Sequence, residues 1–116
     1  MILGVGIDMV SIPRFKAACD RYGARLYGRL FTERELQYCL GHRFPARHLA
    51  ARFAAKVSLG KALGKSPGFK NVEVVRGTSG RPAFKVSGAL DEFKYSLAIS
   101  HNRDFSIAET VVEDLR

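Results

Sequence analysis

Residues 46–63 form the longest helical pattern in the chain, and this segment constrains the fold more than any other. Leu49, Phe53 and Val57 recur every four residues, which places them on one face of the predicted helix. Gly64 ends the pattern. Four small residues in the segment allow neighbouring elements to approach closely: Ala50, Ala51, Ala54 and Ala55. We therefore predict one long central helix with other elements packed around it.

The segments on either side of this helix have different patterns. Residues 2–10 are apolar apart from Asp8 and predict a strand. Two short helices are predicted next; Ser11 caps the first, glycines at 23 and 28 break it, and Thr32 caps the second. After the central helix we predict strands at 71–76, 82–86, 95–100 and 105–113, with a helical turn at 88–93. This order predicts a single α+β domain spanning 1–116, with a mostly antiparallel sheet.

Composition predicts the environment and the kind of partner. Apolar runs are far shorter than the ~20 residues of a membrane helix, and no secretory signal is predicted, so we expect a cytoplasmic protein without a membrane partner. The two cysteines are expected to be free thiols. Cys39, His42 and His48 are too few for a structural zinc site, so a buried thiol and two surface histidines are expected. The net charge of +8 favours an acidic partner: a nucleic acid, a phosphate-rich small molecule or an acidic protein.

Two groups of charged residues are candidates for chemistry. Asp8 lies within an apolar strand, where an unpaired carboxylate is costly, so either a metal or a salt bridge must compensate it. Lys56, Lys61 and Lys65 cluster towards the end of the central helix, where they either contact phosphate or are ordinary surface lysines. A phosphate loop of the nucleotide-hydrolase type is excluded, because only three residues separate Gly60 and Gly64 and the segment follows a helix.

A line of arginines follows the first helix at spacings of four and seven. Its members are Arg14, Arg21, Arg25 and Arg29. They form either a solvated basic face or a docking surface for an acidic helix. The aromatic residues are not interleaved with basic ones as in RNA-binding modules, so a nucleic-acid partner is not favoured.

Five motifs occur in the order found in a known family. They are Gly6-Ile7-Asp8, the Phe-Thr-x-x-Glu motif at 31–35, the signature from Arg52 to Gly64, Gly80-Arg81-Pro82, and Ser100-His101. With these motifs the chain resembles the holo-[acyl-carrier-protein] synthases, small trimeric enzymes of the 4′-phosphopantetheinyl transferase superfamily. The resemblance covers nearly the whole chain and implies the transferase fold.

The resemblance also implies an activity and a set of site residues. Such enzymes transfer 4′-phosphopantetheine from coenzyme A to a serine of apo acyl carrier protein in fatty acid biosynthesis, and release adenosine 3′,5′-bisphosphate. By resemblance, Asp8 holds Mg²⁺, Lys61 lies near the diphosphate and Lys56 lies beside the metal. Arg14 and Arg21 dock the carrier protein. A homotrimer with active sites at subunit interfaces is implied, and the nucleotide end is held by Arg52, Gly80, Arg81, Pro82, Ser100 and His101.

One departure from the family pattern affects the implied metal site. The signature has a glutamate ligand at position 57, where this chain has Val57, and Ser58 follows in place of the usual alanine. Valine offers no oxygen to a hard cation. Three readings stay open: Asp8, substrate phosphates and water suffice; another carboxylate such as Glu109 reaches the site; or the chain is an impaired homologue that still binds coenzyme A or carrier protein.

Overall fold

The computed structural model describes residues 1–116 as an α+β domain. The predicted N-terminal strand, long central helix and antiparallel strands are all confirmed. A 3₁₀ turn at Gly88–Glu92 precedes β4. The elements are β1 (Ile2–Ser11), α1 (Ile12–Tyr22), α2 (Ala24–Leu30), α3 (Glu33–Leu40), α4 (Pro45–Leu63), β2 (Glu73–Arg76), β3 (Pro82–Lys85), β4 (Phe93–His101) and β5 (Phe105–Asp114).

Local capping explains where the short helices begin and end. The Ser11 side chain accepts a hydrogen bond from the Arg14 amide at the start of α1. Thr32 starts α3 with the predicted capping box, because its hydroxyl and the Glu35 carboxylate each bond the other residue's amide. Gly23 separates α1 from α2 with a positive φ of 55°. The predicted break at residue 28 is wrong, since that glycine lies inside α2.

Two antiparallel sheets build the rest of the domain. One has three strands in the order β1-β5-β4, and the other is the β2-β3 hairpin. Alternate residues of β5 are buried between the larger sheet and α4; they are Ser106, Ala108, Thr110 and Val112. Where α4 crosses this row, the Ser58 and Thr110 hydroxyls are 2.7 Å apart.

Helix α4 lies almost in backbone contact with β1. A Cβ atom added to Gly4 would lie 1.9 Å from the Ala62 carbonyl oxygen, and one added to Gly6 would lie 2.0 Å from that of Ser58. Only glycine fits at these two positions. Because side chains alternate along a strand, Asp8 faces α4 in the same row as these glycines.

The opposite face of the larger sheet has no cover within the chain. Leu3, Val5, Ile7 and Met9 project from β1 on that face and are 47–60% exposed. Ile107 of β5, directly opposite Met9, extends this apolar face. None of the helices has both the length and the apolar character required to cross a membrane.

Candidate functional site

Asp8 and Lys61 form the first part of the site. The Lys61 ammonium donates to the Ile7 carbonyl oxygen at 3.0 Å and lies 3.3 Å from Asp8 Oδ1. The Asp8 side chain is only 17% exposed, whereas that of Lys61 is 55% exposed. The sequence left two ways to compensate this carboxylate, a metal ion or a salt bridge, and the structure contains the salt bridge.

A basic cavity lies next to this ion pair at the C-terminal half of α4. Its volume is about 440 Å³, and its lining includes Val57 together with Lys56, Lys61 and Lys65. No carboxylate lines it. The predicted lysine cluster is thus brought together around one space, and its charge suits an anion.

Neither Val57 nor Glu109 supplies a second carboxylate beside Asp8. Val57 is half-buried and offers no ligand atom. Glu109 pairs with Ile7 in the sheet and projects from the exposed face, on the opposite side from Asp8. Within one chain, Glu109 therefore does not reach Asp8, and that hypothesis is wrong. No group of three or more candidate ligands in the structure is placed to hold a metal ion.

Lys56 differs from the other two lysines because it is almost fully buried. Its ammonium donates to Glu35 Oε1 at 2.6 Å and to the carbonyl oxygens of Leu30 at 2.9 Å and Phe69 at 2.6 Å. Glu35 in turn accepts from the amides of Thr32 and Val74. Burial lowers the pKa of Lys56, and the Glu35 carboxylate opposes that shift. These bonds join α2, α3, α4, β2 and the segment after α4, so Lys56 and Glu35 connect the elements inside the fold. The catalytic role of Lys56 stays a prediction.

A second cavity lies on a different side of α4, between that helix and the β2-β3 hairpin. Its volume is about 200 Å³, and four of the residues predicted to hold a nucleotide line it: Arg52, Gly80, Pro82 and His101. Arg52 and Lys61 are separated by nine positions, which is about two and a half helical turns, so they point to opposite sides of α4. One chain therefore presents two half-sites that face different directions.

The remaining two residues of the predicted nucleotide set lie elsewhere. Ser100 pairs with Ile107 and projects from the exposed face of the larger sheet, away from His101. Arg81 is exposed in the β2-β3 turn, where its carbonyl oxygen accepts from the Gly77 amide. Within a single chain neither lines the cavity that holds Arg52. Their binding roles stay predictions.

Three polar residues that line this second cavity were not predicted from the sequence. They are Tyr38, His48 and Arg76. The Arg52 guanidinium lies over the Tyr38 ring at 4.3 Å, and Arg76 donates to the Tyr38 hydroxyl at 3.3 Å. The i, i+4 spacing of His48 and Arg52 on α4 was a usable signal. Nothing in the sequence pointed to the other two, which reach the cavity through tertiary packing.

The rings of His42 and His48 contact each other at the surface, with their planes tilted by 37°. Their ring centroids are 4.1 Å apart, and His42 Nδ1 lies 2.6 Å from the Tyr38 carbonyl oxygen. Burial lowers the pKa of His48, and the nearby charges of His42 and Arg52 lower it further. Cys39 is buried beside them, and burial raises the pKa of its thiol to about 11. The expected buried thiol is confirmed, and both histidines are partly exposed.

The predicted docking residues lie on the surface of α1. Arg14 and Arg21 are both exposed and are seven residues apart, so they share one side of the helix. Arg25 and Arg29 continue the basic surface on α2, although Gly23 separates the two helices. The arrangement fits an acidic partner.

Comparison with known proteins identifies the family. Residues 4–110 match the family model of the 4′-phosphopantetheinyl transferase superfamily. The holo-[acyl-carrier-protein] synthase of Thermodesulfovibrio yellowstonii is 39% identical over 114 residues, which cover 97% of this chain and 99% of that protein. The crystal structure of a holo-(acyl-carrier-protein) synthase from Bacillus anthracis in complex with CoA (3′,5′-ADP) has a TM-score of 0.87 at 31% identity and covers 98% of each chain. That of Neisseria meningitidis has a TM-score of 0.88 at 31% identity and covers 98% of this chain and 100% of its own.

The chain therefore belongs to the 4′-phosphopantetheinyl transferase superfamily. Within that superfamily its full-length relatives are holo-[acyl-carrier-protein] synthases. The resemblance recognised from the five ordered motifs is confirmed.

Proposed function

We propose that this protein transfers 4′-phosphopantetheine from coenzyme A to a serine of apo acyl carrier protein. The observation that carries the proposal is the pair of half-sites on α4. One is a cavity lined by three lysines, which suits a diphosphate. The other contains Arg52, Arg76 and His101, which suit the phosphorylated nucleotide end. A relative of known structure was solved in complex with CoA (3′,5′-ADP), which supports coenzyme A as the ligand.

The chemistry would be a phosphoryl transfer. The serine oxygen of the carrier protein attacks the phosphorus that bears the pantetheine arm, and the bond from that phosphorus to the bridging oxygen of the diphosphate breaks. Adenosine 3′,5′-bisphosphate leaves, and the serine proton is lost. Negative charge develops on the phosphoryl oxygens, so the chain's contribution is positioning and positive charge. Lys61 and Lys65 are the exposed ammonium groups beside the cavity and would supply that charge.

The family resemblance implies a magnesium site, but the residues of this chain supply only part of one. Mg²⁺ prefers several oxygen ligands in an octahedral arrangement. Asp8 is the one carboxylate available, and it already faces the Lys61 ammonium. The residues of this chain therefore do not form a divalent-cation site by themselves; a metal ion would depend on the substrate and on water for its other ligands.

The proposal includes a homotrimer in which two chains complete each active site. Two observations support it. The apolar face formed by Leu3, Val5, Ile7, Met9 and Ile107 is uncovered in the single chain, and a contiguous surface of this kind marks an interface. The two half-sites also face opposite sides of α4, so two copies are required to bring them together. Light scattering should give about three times the chain mass of 12.8 kDa.

The partner would be an acidic carrier protein that docks on α1 through Arg14 and Arg21. The net charge of +8 would speed that encounter. The cytoplasmic location and the role in fatty acid biosynthesis belong to the same proposal. Both cysteines are free, which fits a reducing compartment.

The experiment is a transfer assay with apo carrier protein, coenzyme A and Mg²⁺, followed by mass spectrometry of the carrier. A mass gain of one phosphopantetheine group is expected. The same assay with Asp8→Ala should give no transfer, because the carboxylate beside Lys61 is lost.

One alternative has an observation in its favour. Val57 in place of a glutamate fits a homologue that binds coenzyme A but no longer transfers its arm. Absence of transfer by the natural chain together with transfer by Val57→Glu would establish this alternative and refute the proposal.

A further inference from the structure

The charges around Val57 favour an anion over a cation. Three lysines line the cavity at this position and no carboxylate does, but the Lys56 ammonium is paired with Glu35. The exposed ammonium groups of Lys61 and Lys65 would repel a divalent cation placed there. The same two groups would attract a diphosphate.

Lys61 already pairs with the carboxylate that a metal ion would need. Its ammonium is held at 3.3 Å from Asp8 Oδ1 by a second bond, to the Ile7 carbonyl oxygen at 3.0 Å. An incoming cation would approach Asp8 against the charge of this ammonium and would gain only one carboxylate ligand. The hydrocarbon side chain of Val57 adds no ligand, and Glu109 projects from the other face of the sheet.

We propose that this chain has no divalent-cation site of its own, and that Lys61 serves as a tethered cation for the diphosphate of coenzyme A. Lys61 is then anchored by Asp8 and neutralises phosphate charge, assisted by Lys65. Coenzyme A consequently binds in the absence of any divalent metal. The inference rests on the proposed function, because it assumes that coenzyme A is the ligand.

Two binding measurements test the inference independently of transfer activity. In the first, Mn²⁺ is titrated into the chelator-treated, ligand-free protein and free Mn²⁺ is followed by electron paramagnetic resonance. No saturable binding to the protein is expected. Stoichiometric binding of one Mn²⁺ per chain would overturn the proposal.

In the second measurement, coenzyme A is titrated calorimetrically in EDTA and again in Mg²⁺. The two dissociation constants should agree within about tenfold. Binding that appears only with Mg²⁺ would refute the inference while leaving coenzyme A as the ligand. Absence of binding under both conditions would instead refute the proposed function, so the two failures are distinguishable.

Two variants identify the group responsible. Lys61→Gln keeps a long polar side chain but removes the charge, and it should weaken binding of coenzyme A in EDTA by more than about tenfold. Lys16→Gln is the matched control, because Lys16 is an exposed lysine on α1 that forms an ion pair with Asp20; its affinity should equal that of the natural chain. If Lys61→Gln binds as tightly as this control, Lys61 is not the tethered cation. Circular dichroism of both variants verifies that they are folded.

Discussion

The buried ion pair between Lys56 and Glu35 leads to a quantitative prediction. Lys56→Met keeps an unbranched, apolar side chain of similar length but removes the ammonium and its three hydrogen bonds. Glu35 then remains buried, at about 1% exposure, without its cation. Loss of one partner of a buried pair costs about 3–5 kcal/mol. Because a domain of this kind has a total stability of about 5–15 kcal/mol, the variant should lose a large fraction of it.

The measurement is urea unfolding followed by circular dichroism, with all variants at one protein concentration because an oligomer's stability depends on concentration. Lys16→Met is the matched control, since it removes a lysine from an ion pair in which both side chains are about two-thirds exposed. Exposed pairs contribute about 0–1 kcal/mol, so the control should be nearly as stable as the natural chain. Adding Glu35→Gln to Lys56→Met removes the unpaired charge and should recover part of the loss.

If Lys56→Met is as stable as the control yet transfers no phosphopantetheine, Lys56 acts in the chemistry and the structural role assigned to its bonds is wrong. If the variant is destabilised, transfer should be measured well below its unfolding midpoint. If the folded variant still transfers phosphopantetheine under those conditions, Lys56 contributes to stability and is not needed for the reaction.

Three further predictions concern packing, pH and docking. Gly6→Ala should cost at least about 1–3 kcal/mol in urea unfolding, because its Cβ would overlap α4; Gly28→Ala meets no atom within 4 Å and should not destabilise the protein. His48→Gln should reduce the loss of stability below about pH 6.5, because the lowered pKa of His48 lets the unfolded chain bind a proton that the folded chain does not; an unchanged pH profile would exclude this histidine as the cause. Arg14→Glu combined with Arg21→Glu should raise the dissociation constant for apo carrier protein by more than about tenfold and leave that for coenzyme A unchanged, and equal losses would argue against docking on α1.

Much of the fold could be predicted because local signals dominate it. Apolar patterning identified β1, and both predicted caps form the expected hydrogen bonds. The exception at Gly28 has a physical cause: an exposed glycine within a helix costs only about 1 kcal/mol relative to alanine, which neighbouring turns can offset. At Gly23, by contrast, the backbone adopts a positive φ that favours glycine, and the helix ends there.

The candidate site was predicted only in part, because it depends on how the helices and strands pack against one another. Sequence motifs supplied Asp8, Lys61 and Arg52, but not the elements that pack around each of them. The direction of Ser100 follows from strand pairing, which places it with Ile107 on the exposed face. Tyr38 reaches its cavity only because α3 packs against α4, and no local pattern encodes that contact.

The two signature lysines show why a shared motif does not assign a shared role. Lys56 and Lys61 lie on the same helix, yet one is buried in three hydrogen bonds and the other is half-exposed beside a single carboxylate. A buried cation that is fully bonded stabilises the fold and has no donor left for a ligand. An exposed cation anchored by one aspartate can approach a phosphate at little cost. Because Val57 supplies no carboxylate, the charge that Lys61 brings to the cavity is opposed by Asp8 alone, and this end of α4 favours an anion.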